Sequence, residues 1–217
     1  MSPPGVIGPT RVPKAGTFGV GASAEAVFVS GRSNLASQPY SLNPVWWPKV
    51  HGWASYSLTD RFAVSVVARL PMFPAGAYAG AHWVPLQTRY VDLALQTRVG
   101  LAACFDLRGW GEADFCSRGY GPAREFYGTG SSVALMGINP ARWLTLQVQG
   151  GGWMQRGFDW RAGPWVGGAI HVMPTAEVGF GVDLMVLPRW FPDGRALVQP
   201  ALSLVFWPKR GSNPYWN

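Results

Sequence analysis

Arg195-Ala-Leu-Val-Gln-Pro-Ala-Leu-Ser-Leu-Val-Phe-Trp207 is the stretch whose pattern decides the fold. In an extended chain Val198, Leu202, Leu204 and Phe206 fall on one face, and Gln199, Ala201 and Ser203 on the other. A helical phase gathers none of these residues into a single stripe. The segment is therefore a strand with oil on one side and small or polar groups on the other.

Composition says which surroundings such strands suit. Only 13% of residues are charged, against roughly 25% in soluble domains, which is too few for an ordinary water-facing surface. The sequence has no run of 18 or more apolar residues, so it offers no spanning helix, and a membrane reading means a barrel. The net charge is +7, but Lys and Arg are scattered singly, with no basic block or nucleic-acid motif. That spread suits adsorption to anionic lipid or lipopolysaccharide rather than to nucleic acid. The start, Met1 to Gly5, carries no apolar secretory core, so an exported form is expected to have lost its signal or had it replaced here.

Taken in order, residues 1–16 are rich in Pro and Gly and read as an extended N-terminal arm. Thr17 to Ser30 alternates, with Phe18, Val20, Ala22, Ala24, Ala26 and Phe28 on one side. Residues 31–49 read as a long loop holding Trp46 and Trp47. A strand ending at Leu58 turns at Thr59-Asp60-Arg61 into Phe62 to Arg69, the clearest hairpin in the chain. Three similar hairpins are expected: Tyr90 to Leu95 turning at Gln96-Thr97-Arg98 into Val99 to Phe105; Val133 to Ile138 turning at Asn139–Arg142; and Val166 to Met173 turning at Pro174–Ala176. With the first and last strands the count is ten, or eight if Tyr90 to Phe105 is one strand. The barrel then spans residues 17–207, and 208–217 form a C-terminal tail.

At this point the chain resembles the bacterial outer-membrane β-barrels. They close on a last strand carrying a polar residue, a small residue two on, then alternate hydrophobic and aromatic residues, here Gln199, Ala201, Leu204 and Phe206. The resemblance implies an all-β, antiparallel up-and-down transmembrane barrel in the outer membrane, with short periplasmic turns, long outer loops and Gln199 to Phe206 as assembly signal. Short turns alternating with long loops fit it. Trp46, Trp47, Trp83, Trp153, Trp160, Trp165, Trp190 and Phe191 are expected at the outer edge, and Phe62, Trp143 and Trp207 at the turn edge, as interfacial girdles. Arg61, Arg98 and Arg142 are expected at the periplasmic membrane surface.

The residues able to carry chemistry are few. Cys104 and Cys116 flank a loop and read as a structural disulfide, with buried free thiols as the alternative. Loop 107–130 mixes cations and aromatics at Arg108, Trp110, Arg118, Tyr120, Arg124, Phe126 and Tyr127, which suits binding a partner or a glycan, or simply packing over the mouth. Inward positions project to Glu25, His51, Ser65, Arg69, Asp92, Thr145, Gln147, Gln149, His171, Asp183 and Gln199. In a narrow barrel these side chains are expected to fill the lumen and pair. No metal-ligand spacing occurs and no cofactor is implied. His51 just after a loop, His82 in one and Ser30 on a neighbouring strand end are the residues considered for a rim hydrolase, and their spacing matches no specific motif. The leading expectation is an anchoring or interaction role among other envelope proteins, through loops and termini. The alternatives are a narrow channel along Arg69, Asp92 and Asp183, and a rim hydrolase.

Overall fold

The computed structural model describes residues 10–31, 41–69, 75–105, 124–156, 160–188 and 196–207. Ten strands run in order: β1 (Phe18–Gly31), β2 (Ser41–Thr59), β3 (Phe62–Arg69), β4 (Ala75–Gln87), β5 (Val91–Phe105), β6 (Arg124–Ala141), β7 (Leu144–Arg156), β8 (Trp160–Val172), β9 (Val178–Leu187) and β10 (Leu197–Phe206). Each pairs antiparallel with its sequence neighbours, and β1 pairs with β10, for example Ala24 with Leu202, closing the barrel. Closure leaves no open edge, the condition for a sheet to cross hydrocarbon.

The outer surface follows the alternation read from the sequence. Val66, Val99, Leu101, Val182 and Leu202 all face outward, Leu202 with 63% of its surface exposed. Near the short turns Phe18, Tyr56, Trp83, Tyr90, Trp143, Phe180 and Phe206 are all exposed, a girdle of the kind that marks a membrane interface. A closed antiparallel barrel with an apolar belt and an aromatic girdle is the architecture of outer-membrane barrels.

Several expectations need correcting. Gln96-Thr97-Arg98 is not a turn: β5 runs through it, and the connection from β4 lies at 88–90. Gln96 and Arg98 are inward, buried side chains, and Thr97 lies outward against Ser132 at 3.1 Å. Arg98 therefore sits in the lumen, away from the membrane surface. The strand count stays at ten because Ala75–Gln87, with its Ala, Gly and Pro, is itself a strand despite having few β-formers. His82 consequently lies on β4, not in a loop, and Trp83 pairs with Phe62 at the turn end rather than at the outer edge. Trp46 and Trp47 belong to β2, and Arg124, Phe126 and Tyr127 to β6, where they pair with Phe105, Ala103 and Ala102. Arg108, Trp110, Cys116, Arg118, Tyr120, Trp190, Phe191 and the tail 208–217 lie outside the described residues, and the Cys104–Cys116 expectation lies there with them.

The interior is mixed rather than polar. Trp153, Trp165 and Trp207, expected in the girdles, are buried inside. Trp153 and Trp165 join Val84, Leu135, Met185 and Leu187 in one apolar cluster, and Trp207 packs with Met173 and Val205. Such bulk leaves little free bore in a ten-stranded barrel.

If this surface meets lipid, Leu202→Arg should weaken folding into lipid vesicles by about 2–4 kcal/mol. Reversible urea unfolding measures it, and an unchanged midpoint would put Leu202 in water.

Candidate functional site

The most fully hydrogen-bonded polar site among the described residues is a floor at the short-turn end, built by a segment that sequence alone marks only as Pro- and Gly-rich. Gly16 adopts φ 76°, a conformation that glycine takes without strain, and so turns the chain back from β1 under the barrel. Its N–H donates to the Ser57 carbonyl at 2.8 Å, and the Ala15 N–H donates to Asp60 Oδ1 at 2.8 Å. Pro13 follows, and Val12, 2% exposed, enters the apolar cluster beside Ala63, Val84 and Ala94.

Arg11 then ties the segment across the lumen. Its Nε donates to Asp92 Oδ2 at 2.8 Å, and Nη2 donates to the Thr88 and Arg89 carbonyls. Asp92 is fully buried and also accepts from Asn139 Nδ2 at 2.6 Å; Asn139 Oδ1 accepts from Thr145 Oγ1 at 2.8 Å. Thr10 Oγ1 donates to Gln147 Oε1 at 2.9 Å, and Gln147 Nε2 donates to Gln149 Oε1 at 3.2 Å. Gly137 makes room for this contact, because a Cβ there would lie 2.7 Å from Thr10 Oγ1. A buried guanidinium–carboxylate pair with supporting hydrogen bonds is stable only while both partners remain, since either charge alone is costly in a dry site.

Above the floor the lumen holds a second set of groups. His51 Nε2 lies 3.3 Å from Glu25 Oε2, with Lys49 opposite Glu25 and Arg69 opposite His51 in the strand registers. On β9 and β10, which follow β1 round the closed sheet, Ser203 Oγ donates to Asp183 Oδ2 at 3.2 Å, while His171 Nε2 on β8 lies 3.8 Å from Asp183 Oδ1. Asp183 thus draws on both the serine and the histidine. A nucleophilic triad needs the serine proton directed at the histidine. Among the described residues no three His, Cys, Asp or Glu side chains form a metal-ligand group.

The inward residues projected from sequence are found as follows. Glu25, His51, Arg69, Asp92, Thr145, Gln147, Gln149, His171, Asp183 and Gln199 are all buried in the lumen, and Ser65 is partly buried. Asp92, Thr145, Gln147 and Gln149 share the floor; Glu25 and His51, and His171 and Asp183, form separate pairs. On β10, Leu204 and Phe206 face outward, while Gln199 and Ala201 face in. Sequence reasoning missed Thr10, Arg11, Lys49, His82, Gln96, Arg98 and Asn139. Asn139 is in phase with Val133, Leu135 and Gly137, so continued alternation could have found it. No sequence signal places Thr10 and Arg11.

No protein-family model and no curated protein sequence matches the chain. Among solved structures it is similar to the NanC porin (13% identity, TM-score 0.45, covering 87% of this chain and 98% of that one). Others are LpxR from Salmonella typhimurium (13%, TM-score 0.38, 85% and 99%) and the attachment invasion locus protein Ail of Yersinia pestis (9%, TM-score 0.35, 88% and 98%).

Removing the Asp92 carboxylate takes away the acceptor of the Arg11 Nε–H and the charge opposite it. Asp92→Ala should cost roughly 3–5 kcal/mol and let trypsin cut after Arg11 in the otherwise folded barrel, where the parent chain resists. Equal resistance in both would show that the pair does not hold the segment.

Proposed function

We propose that the protein is a floored outer-membrane barrel that serves as an anchor and docking scaffold in the envelope. The observation that carries this reading is the seating of residues 10–16 in the barrel end, where Thr10 and Val12 are buried and Arg11 is bonded to Asp92. A lumen stoppered by its own chain and filled above by Trp153 and Trp165 is poorly suited to passing solutes. It leaves the short-turn face as a built surface. There Lys14, Arg61, Arg89 and Arg142 are exposed, and Arg89 lies over the Tyr90 ring at 5.2 Å. A depression of about 640 Å³, lined by Lys14, Asp60, Tyr90, Pro140 and Arg142 among others, opens on this face. A cationic, partly aromatic concavity favours an acidic surface of another envelope protein, with lipopolysaccharide and lipid as the barrel's surroundings.

The closing strand, with Gln199, Ala201, Leu204 and Phe206, serves in this reading as the assembly signal. The outer loops around Arg108 to Tyr127 and the two termini are further contact regions. A rim hydrolase is less well supported, because His82 pairs across to Ala63 near the turn end, on the opposite side from the outer rim.

Purification from native membranes in mild detergent should yield the barrel with a fixed complement of other envelope proteins, and Arg89→Glu with Arg142→Glu should release a partner without unfolding it. The purified barrel should be silent in a planar bilayer. Elution alone, together with reproducible unit conductance, would replace this reading with the narrow channel.

A further inference from the structure

Arg69 ends β3 on the loop side of the barrel, 4% exposed. Its Nε, Nη1 and Nη2 have no hydrogen-bond partner among the described residues. The guanidinium lies over the Tyr78 ring, 5.7 Å from its centroid, which orients the group but uses none of its N–H donors. Across the register on β4 stands Gly76, which offers no side chain, and on β2 stands His51, beside the Glu25 carboxylate. Glu25 lies within electrostatic reach of both Lys49 and Arg69, so one carboxylate is shared between two basic side chains. On β10, three strands round the barrel from β3, Gln199 is 2% exposed and its Oε1 and Nε2 have no hydrogen-bond partner among the described residues. It stands two residues from Ala201, the partner of Glu25.

An arginine held in a dry site with every donor unused is costly, and a planar fork of N–H groups matches a carboxylate, sulfate or phosphate in two-point fashion. We propose that the loop-side half of the lumen is a binding site for an oxyanion, with Arg69 as the fork that holds it and Gln199 as a second donor on the same half. The site goes beyond the scaffold reading and does not depend on it, since it lies above the floor and needs no passage through the barrel.

The test uses the whole barrel in uncharged, lipid-free detergent, titrated with sodium sulfate and, separately, with inorganic phosphate, against sodium chloride at matched ionic strength. The wild type should show a saturable rise in Tm and a saturable shift of the Arg69 Nε–Hε NMR signal. Arg69→Gln should bind at least tenfold more weakly, and Arg69→Lys should lose most of the affinity while keeping the charge. Response to the free anions marks a soluble ligand; response only after adding phosphatidylglycerol or lipopolysaccharide marks a headgroup. A non-saturable rise shared with chloride, or an Arg69 signal that no oxyanion moves, overturns the proposal. The NMR arm decides the matter even if the Arg69 variants fail to fold.

Discussion

Inside a bilayer every backbone N–H and C=O needs a partner from the chain itself, and the pairing of β1 with β10 meets that demand by closing the sheet. The rest of the structure follows from this closure. It turns the alternation of each strand into an outside and an inside: Val66, Val182 and Leu202 meet lipid, while the other face is forced into a narrow lumen. In so confined a space charges cannot remain hydrated, so Arg11 with Asp92 and Glu25 with His51 come together, and tryptophans fill the volume that polar groups do not.

The floor shows how a soluble-looking segment becomes part of a membrane protein. Residues 10–16 have no strand period and little bulk, yet the Gly16 turn, the Val12 contact and the Arg11–Asp92 bond each fix a different point of the segment. Asp92 couples the floor to the barrel wall through β5 and, by Asn139 and Thr145, through β6 and β7. The turn face around this end wall exposes Lys14, Arg61, Arg89 and Arg142.

Sequence made the barrel legible wherever alternation was written in bulky residues. Phe62 to Arg69, Val178 to Leu187 and the closing strand show their faces directly, and the belt of exposed Val and Leu follows from them. It was illegible where a strand is built from small residues: β4 carries Ala77, Ala79 and Ala81 outward, and alanine marks neither oil nor water strongly. Gln96-Thr97-Arg98 misled for the opposite reason, since three polar residues in a row look like a turn when only the lumen explains two of them. Trp153, Trp165 and Trp207 were placed at the interface because tryptophan favours both an interface and a core, and only the register separates the two. The seat of Thr10 and Arg11 depends on contacts with residues more than seventy positions away, and no local pattern carries that information.

The central claim is that residues 10–16 are a fixed wall of the barrel. Hydrogen exchange of the protein in lipid nanodiscs tests it most directly, read at the amides of Ala15, Gly16 and Thr17, which donate to Asp60, Ser57 and Lys14. They are expected to exchange in the slow class of β1 and β2. Exchange at the rate of an unstructured peptide while β1 stays protected would mean that the segment hangs free and the barrel has no floor.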